Sequence, residues 1–359
     1  MAKTFKKAFS NVPQESRIAA GVAPGIVTLL GSHASYNHGL ALAMATPLKI
    51  TVEVAESPDG LNYFCVVDSD KTVTCSMVDG RDIQEEFALS LFGCLMVLEE
   101  RGFAVAPVCA LVRSDLPAGA GLAENAALDV AMIRALGRLF GSRLEGVPLG
   151  QLAYRVQLEY SRVTCGVIEQ VAASFADKAN MLLLDSRSYD KQFLPLPEGA
   201  ELVLVESGLP AAFADWYPVR RAECEEACRQ LTVAVLRDVT DVAVLASLPP
   251  LLRKRARHIV TENARVAEVS AGVSARRFGE LLDESHASLR DDYEVSLPSL
   301  DLLTELFRSD PRTFGARLAG AGLGGACVAL VARGTAHDVA VEVLGRYRER
   351  GGAGRLLIP

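Results

Sequence analysis

The sequence predicts an α+β protein of two lobes. Apolar runs of strand length alternate with amphipathic helical stretches, but without the regular period of repeated βαβ units. The 359 residues, half of them hydrophobic, suffice for more than one compact core. Glycine-rich turns recur at three separated places, each beside an apolar run: 23–37, 116–122 and 320–325.

In chain order, residues 1–17 are polar and basic and read as a flexible arm. Gly25 to Leu30, Leu40 to Ala45 and Lys49 to Val54 read as strands. Tyr63–Val67 and Lys71–Ser76 read as a hairpin turning through Asp68-Ser69-Asp70. Asp82 to Arg101 is amphipathic and helical, and Val108–Val112 is a strand that feeds the second glycine turn. A helix follows through Leu122, Ala126, Val130, Ile133 and Leu136. Leu152 to Tyr160 and Gly166 to Ala176 read as helices, and Met181 to Asp185 as a strand. A new unit is expected past Tyr189, giving lobes of 18–190 and 191–359 after the arm. It holds a strand at Glu201–Glu206 and helices at Tyr217–Leu231, Val242–Ala246, Leu251–Val269, Arg276–Arg290 and Pro298–Ser309. Ala316–Ala319 leads to the third glycine turn, Cys327–Ala332 is a strand, and Ala336–Arg348 is the last helix.

The net charge of −7 gives no reason to expect nucleic acid or anionic membrane as a partner. No apolar run approaches the roughly 18 residues of a membrane span. Met1 to Pro13 has no apolar core of a secretory signal. The eight Cys are scattered without a CxxC, so reduced thiols in a cytoplasmic protein are expected. Cys224 and Cys228 share a helix face at a spacing metal ligands use, but no His lies near them.

The chemistry begins at Leu116 to Val130. Pro117, Gly119 and Gly121 make a tight turn that opens a helix, and such a turn offers free backbone N–H groups to a phosphate. Taken alone, it is as well explained as a plain connection.

Three motifs in one order carry a stronger signal. They are Ala23-Pro24-Gly25-Ile26-Val27-Thr28-Leu29-Leu30-Gly31-Ser32-His33-Ala34-Ser35-Tyr36-Asn37, then the turn at 116–122, then Gly320-Ala321-Gly322-Leu323-Gly324-Gly325. With Cys165-Gly166-Val167-Ile168-Glu169-Gln170, Tyr217-Pro218-Val219-Arg220-Arg221, the run from Arg255 to Glu262 and that from Ser285 to Val295, the chain closely resembles the galactokinase branch of the GHMP small-molecule kinases over about residues 18–335. The resemblance implies the two-lobed GHMP kinase fold with a ligand cleft between the lobes. It also implies ATP and Mg²⁺ as cofactors and phosphoryl transfer to the anomeric hydroxyl of a sugar.

Carried onto this sequence, the resemblance implies a nucleotide site of Pro117, Gly119, Ala120, Gly121, Leu122, Glu124, Asn125, Gly322, Gly324 and Gly325. It implies a sugar site of Ser32, His33, Ser35, Tyr36, Asn37 and Tyr217, and Glu169 as the catalytic carboxylate. Several positions depart from the family pattern. The family's Arg in the first motif is Ile26, which cannot stabilise transferring phosphoryl charge. Its serines after the second glycine turn are Ala123, Glu124 and Asn125. Glu124 caps the first helical turn, ligates a metal, or repels nucleotide. The catalytic Asp is Glu169, whose extra methylene displaces the oxygens by about 1 Å, a shift that can cost about 100-fold. The two sugar-binding acids are Ser32 and Ser35, which removes charge-assisted acceptors and suits an anionic or less hydroxylated ligand.

Two readings follow. One is a galactokinase-like kinase for a sugar or sugar-like substrate other than plain galactose. The other is a catalytically impaired or repurposed homologue that senses a ligand, regulates a protein partner or runs other chemistry.

Overall fold

A computed structural model describes residues 4–358 apart from 68–71, 78, 79, 81, 162, 164, 176–178 and 212–215. The expected hairpin turn at 68–70 and the residue Lys71 lie outside the described residues. The fold is mixed helix and sheet. The chain divides into two compact units, each discontinuous in sequence. The first comprises residues 1–26, 45–117 and 123–176, and the second 27–44, 118–122 and 177–359. The split therefore differs from a single boundary near residue 190: the segments 27–44 and 118–122, which carry two of the glycine turns, cluster with the C-terminal half.

In the first unit the strand Val108–Ser114 is central. It pairs antiparallel with Ile50 to Glu56 and parallel with Asn62–Val66, which in turn pairs with Thr72–Cys75. The helices are Glu86–Glu100, Glu124–Phe140, Gly146–Arg155 and Ile168–Phe175. Glu124–Phe140 is buried along nearly its whole length, from Ala126 through Leu139. Its apolar residues surround the helix, as expected of one that runs through a core.

The arm expected to be flexible is partly packed. Phe5–Ala8 is a short helix, and Phe5, Phe9 and Val12 are buried in a cluster with Ala55, Cys65, Cys109 and Leu111. Its aromatic residues supply the apolar surface that composition alone concealed.

The second unit has an antiparallel sheet in the order Arg355–Ile358, Ala200–Glu206, Ala326–Ala332, Thr313–Leu318. The helices Tyr217–Leu231, Pro250–Ser270, Ala275–Asp291, Pro298–Arg308 and Ala336–Glu349 contribute to the core against it. A further ladder joins Leu40 to Met44 with Asn180–Asp185, and that strand with Lys191–Pro195.

Helix Ala275–Asp291 lies unusually close to strand Thr313–Leu318. A Cβ on Gly315 would sit 2.0 Å from the Gly279 carbonyl oxygen. Only two glycines allow that approach. It brings Ser285 and Arg317, two residues further along the strand, into one buried network.

Most elements match the expected ones, and Tyr217–Leu231 matches in both ends. The two strands expected at 40–54 are one strand, Leu40–Glu56, which runs through an exposed Pro47. The helix expected from Leu152 begins at Gly146 and ends in a π-helical turn, Val156–Tyr160. The segment Val242–Ser247 is a 3₁₀ rather than an α-helix. The strands Lys191–Pro195 and Arg355–Ile358 were not expected.

Candidate active site

The second unit gathers two glycine loops. Gly119 and Gly121 have positive φ, Ala120 and Leu122 are buried, and Pro117 just before them is half-buried. The third motif, with Gly322, Gly324 and Gly325 also at positive φ, faces this loop: a Cβ on Gly320 would lie 2.8 Å from the Gly121 carbonyl oxygen, and one on Gly325 3.0 Å from that of Ala120. The turn at Leu209-Pro210-Ala211 pins both. Ala211 N–H donates to Gly119 O (2.9 Å) and Gly325 N–H to Leu209 O (2.7 Å). Sequence reasoning missed this turn.

The same unit holds the first motif. Ser35–Asn37 form a 3₁₀ turn, closed by Asn37 N–H donating to Ala34 O (2.9 Å). Asn37 is buried and its amide donates to His33 O (3.4 Å). Ser35 is half-buried, and its carbonyl accepts from the Ser186 hydroxyl (3.2 Å). His33 takes a left-handed conformation, φ 64, which a non-glycine residue adopts at a cost and which tends to mark functional positions.

His33 is the centre of an aromatic cluster. Its ring stacks on Tyr293 at 4.6 Å between centroids, with Tyr217 at 5.5 Å, Trp216 at 5.7 Å and Tyr36 at 6.1 Å. Its Nε2–H donates to the Ala321 carbonyl of the third glycine loop (3.0 Å), so Nδ1 carries the free lone pair. That Nδ1 is buried and has no hydrogen-bond partner. Burial, helped by His258 and Arg317, pulls the pKa of His33 down to about 3, so the ring is neutral near pH 7. Tyr36 and Tyr293 share a short hydroxyl–hydroxyl bond, and Cys224 Sγ lies 3.4 Å from the Tyr293 hydroxyl. Burial pushes the Cys224 thiol up to about 12, so it is no nucleophile at neutral pH.

Ser32 is tied elsewhere. Its hydroxyl oxygen accepts from Arg317 Nη2 at 2.5 Å, and its carbonyl accepts from His258 Nε2 at 3.1 Å. Arg317 is wholly buried and also donates to Leu29 O (2.9 Å), Ser285 Oγ (2.9 Å) and Glu262 Oε1 (3.2 Å). Burial alone would raise the Glu262 pKa; Arg265 and Arg317 outweigh it and hold the carboxyl well below the usual range. Arg317, Trp216 and Tyr293 were given no role in the sequence reading. The available signal for Arg317 was a charge inside an otherwise apolar strand, TFGARL.

The remaining expected residues belong to the first unit. Ile26 is buried, a core residue with no charge to offer. Ala123 is the N-cap of helix Glu124–Phe140 and makes no side-chain cap bond. Glu124 is half-buried in the first turn, where the helix dipole favours an acid. The Asn125 amide donates to Glu86 Oε1 (3.2 Å). Glu169 is half-buried in the first turn of Ile168–Phe175. Among the described residues no group of three or more His, Cys, Asp or Glu could hold a metal, and no helix is long and apolar enough to cross a membrane.

Known proteins share this fold. The galactokinase galactose-binding signature matches residues 3–56, the GHMP kinase N-terminal domain 90–177 and the GHMP kinase C-terminal domain 273–349. Galactokinase of Thermotoga neapolitana is 33% identical over 333 residues, covering 91% of this chain and 93% of its own. That of Roseiflexus sp. is 34% identical over 334 residues, covering 89% and 85%. The crystal structure of Lactococcus lactis galactokinase complexed with galactose superposes with a TM-score of 0.89 at 25% identity, over 98% of this chain and 96% of that one. Methanococcus jannaschii mevalonate kinase shares the fold at 16% identity, with a TM-score of 0.70 over 96% and 98%. The chain belongs to the galactokinase branch of the GHMP kinases.

Proposed function

We propose that the protein is a galactokinase-like sugar kinase that moves the γ-phosphate of ATP to the anomeric hydroxyl of a sugar other than plain galactose. The observation that carries this reading is the pair of facing glycine loops, 118–122 and 320–325, whose backbones approach too closely for side chains. Such loops suit phosphate oxygens, which backbone N–H groups can approach closely only where side chains are absent. Helix Glu124–Phe140 follows the first loop in sequence, as in sites that place a phosphate at a helix start.

The residues fit ATP better than they fit a metal. Magnesium is usually held by one or two carboxylates together with phosphate oxygens. On this loop Glu124 is the carboxylate for that role, and Ala123 offers nothing. A bound ion would neutralise charge on the transferring group. His33, Tyr36, Asn37 and Tyr217 would hold and orient the sugar, and Glu169 would accept the proton of the attacking hydroxyl. Neutral Ser32 and Ser35 remove the charged acceptors that a fully hydroxylated hexose would use.

A second reading is a homologue impaired in phosphoryl transfer that binds its ligand as a sensor or a regulator of a protein partner. Buried aliphatic Ile26, where the family pattern has Arg, favours it. The test is Mg·ATP-dependent ADP release across a panel of neutral, amino and acidic sugars. Turnover that disappears in Glu169→Ala supports the kinase. Absence of any Mg-dependent ATP binding sinks it and leaves the second reading.

A further inference from the structure

Behind Ser32 the buried charges do not balance. Arg317 and Arg265 both contact Glu262, at 3.2 Å and 2.8 Å, so two guanidinium groups face one carboxylate. Among the described residues neither Arg has a second carboxylate partner within ion-pair distance. All three side chains are buried, Arg317 and Glu262 completely. The nearest His residues add no negative charge: neutral His258 donates through Nε2 to the Ser32 carbonyl, and neutral His33 donates through Nε2 to Ala321. An excess buried cation is costly unless something completes it.

The hydrogen-bond directions show where completion comes from. Arg317 Nη2 donates to Ser32 Oγ, so the Ser32 O–H must donate to something other than the guanidinium. Ser32 thus offers a donor polarised by a cation behind it. Its neighbour His33 offers the opposite, a buried and unpartnered acceptor at Nδ1. An aliphatic ligand answers neither demand; a neutral hydroxyl can answer either, but only an anionic acceptor at Ser32 also offsets the excess buried charge.

We infer that the substrate is a sugar acid, whose carboxylate accepts from the Ser32 hydroxyl with the Arg317 charge behind it, while a ring hydroxyl donates to His33 Nδ1. A charge-assisted bond of this kind is about twice as strong as a neutral one. The inference rests on the proposal above that His33 holds the sugar, and adds the neighbouring Ser32 to that site.

The experiment is calorimetric titration of the full chain, with and without Mg·ATP, using D-galacturonate and D-galactose as probes. These differ only in a carboxylate for a hydroxymethyl group. Galacturonate is expected to bind at least tenfold more tightly. Ser32→Ala, with folding checked by its melting curve, is expected to shrink the galacturonate-to-galactose affinity ratio at least tenfold. Ser32→Glu, which would supply the missing carboxylate to Arg317, is expected to invert the ratio. Equal or tighter binding of galactose, an unchanged ratio in Ser32→Ala, or no binding of either sugar overturns the inference. Galacturonate binding with the expected ratio but no phosphorylation of it upholds this inference while the kinase reading fails. Phosphorylation of a neutral or amino sugar other than galactose, without galacturonate binding, does the reverse.

Discussion

Arg317 donates to the Ser32 hydroxyl at 2.5 Å from a position with no exposure to solvent, and this bond ties the first motif to the strand before the third glycine loop. The same guanidinium contacts Glu262, which also accepts from the Gly31 N–H (2.9 Å) and the Ser285 hydroxyl (2.7 Å). The network therefore fixes the backbone from Leu29 to His33, the segment on which the proposed sugar site depends.

Its charge count ranks two substitutions. Glu262→Gln leaves Arg265 and Arg317 without a carboxylate, and breaking a buried pair in this way costs about 3–5 kcal/mol. Arg317→Met leaves a balanced Arg265–Glu262 pair and should cost less, although Ser32 and Leu29 lose a donor. Urea unfolding at pH 7 is expected to place Glu262→Gln below Arg317→Met. The opposite order would mean that the bonds made by Arg317, not the charge balance, dominate.

Acid should destabilise this unit through its buried His residues. Burial lowers the pKa of His33 to about 3 and of His258 to about 4. As pH falls below about 6.5, the unfolded chain takes up protons at both positions that the folded chain refuses, so stability falls with pH until the folded values are reached. Glu262, held below its usual range by Arg265 and Arg317, adds a loss of the same sign below about pH 4.5. Each buried His contributes on the order of 1.4 kcal/mol per pH unit within its window. A pH series of unfolding curves should slope downward from pH 6.5 to 4, and His258→Gln should flatten it. An unchanged slope in that variant would show that His258 titrates normally.

The parts legible in the sequence were those written locally. Helix Tyr217–Leu231 could be bounded because Pro218 fits its first turn and the charged pattern stops at Leu231. The glycine loops were legible because turn residues announce themselves. The site network was not, because its meaning lies in distant partners. Arg317 and Glu262 are 55 residues apart, and the tautomer of His33 is set by Ala321, 288 residues away. Nothing near His33 in sequence says which ring nitrogen is left bare. The strand Lys191–Pro195 was missed because it is largely exposed and lacks an apolar alternation to betray it.

The first unit holds a buried acid of opposite sign. Asp129 is fully buried on helix Glu124–Phe140 and accepts from Gln157 and, weakly, from Cys94 Sγ (3.8 Å), with no cation paired to it among the described residues. Burial raises its pKa well above the carboxylate value, against the lowering effect of its hydrogen bonds. The folded chain therefore keeps a proton that the unfolded chain loses above about pH 4, and stability falls as pH rises from there towards the folded value. Asp129→Asn removes this cost while Gln157 can turn its amide to match. It should stabilise the protein at pH 7 and gain less at pH 4. A loss at pH 7 would show that the carboxylate is charged and compensated.

The loop after Gly121 gives the sharpest test of the nucleotide site. Ala123 has no hydroxyl, Glu124 places a carboxylate in the first helical turn, and the Asn125 amide is engaged with Glu86. A carboxylate near a triphosphate repels it unless a cation lies between. Glu124→Ser with Asn125→Ser removes that charge and supplies two hydroxyls. Losing the exposed Asn125–Glu86 bond costs about 0.5–1.5 kcal/mol of stability, so the fold should survive. The double variant is expected to bind Mg·ATP about tenfold more tightly, roughly 1.4 kcal/mol, and to raise the melting temperature increment that nucleotide produces. If instead Glu124 ligates the metal, affinity for Mg·ATP falls while affinity for ATP in EDTA rises. No change in either would remove Glu124 from the nucleotide site.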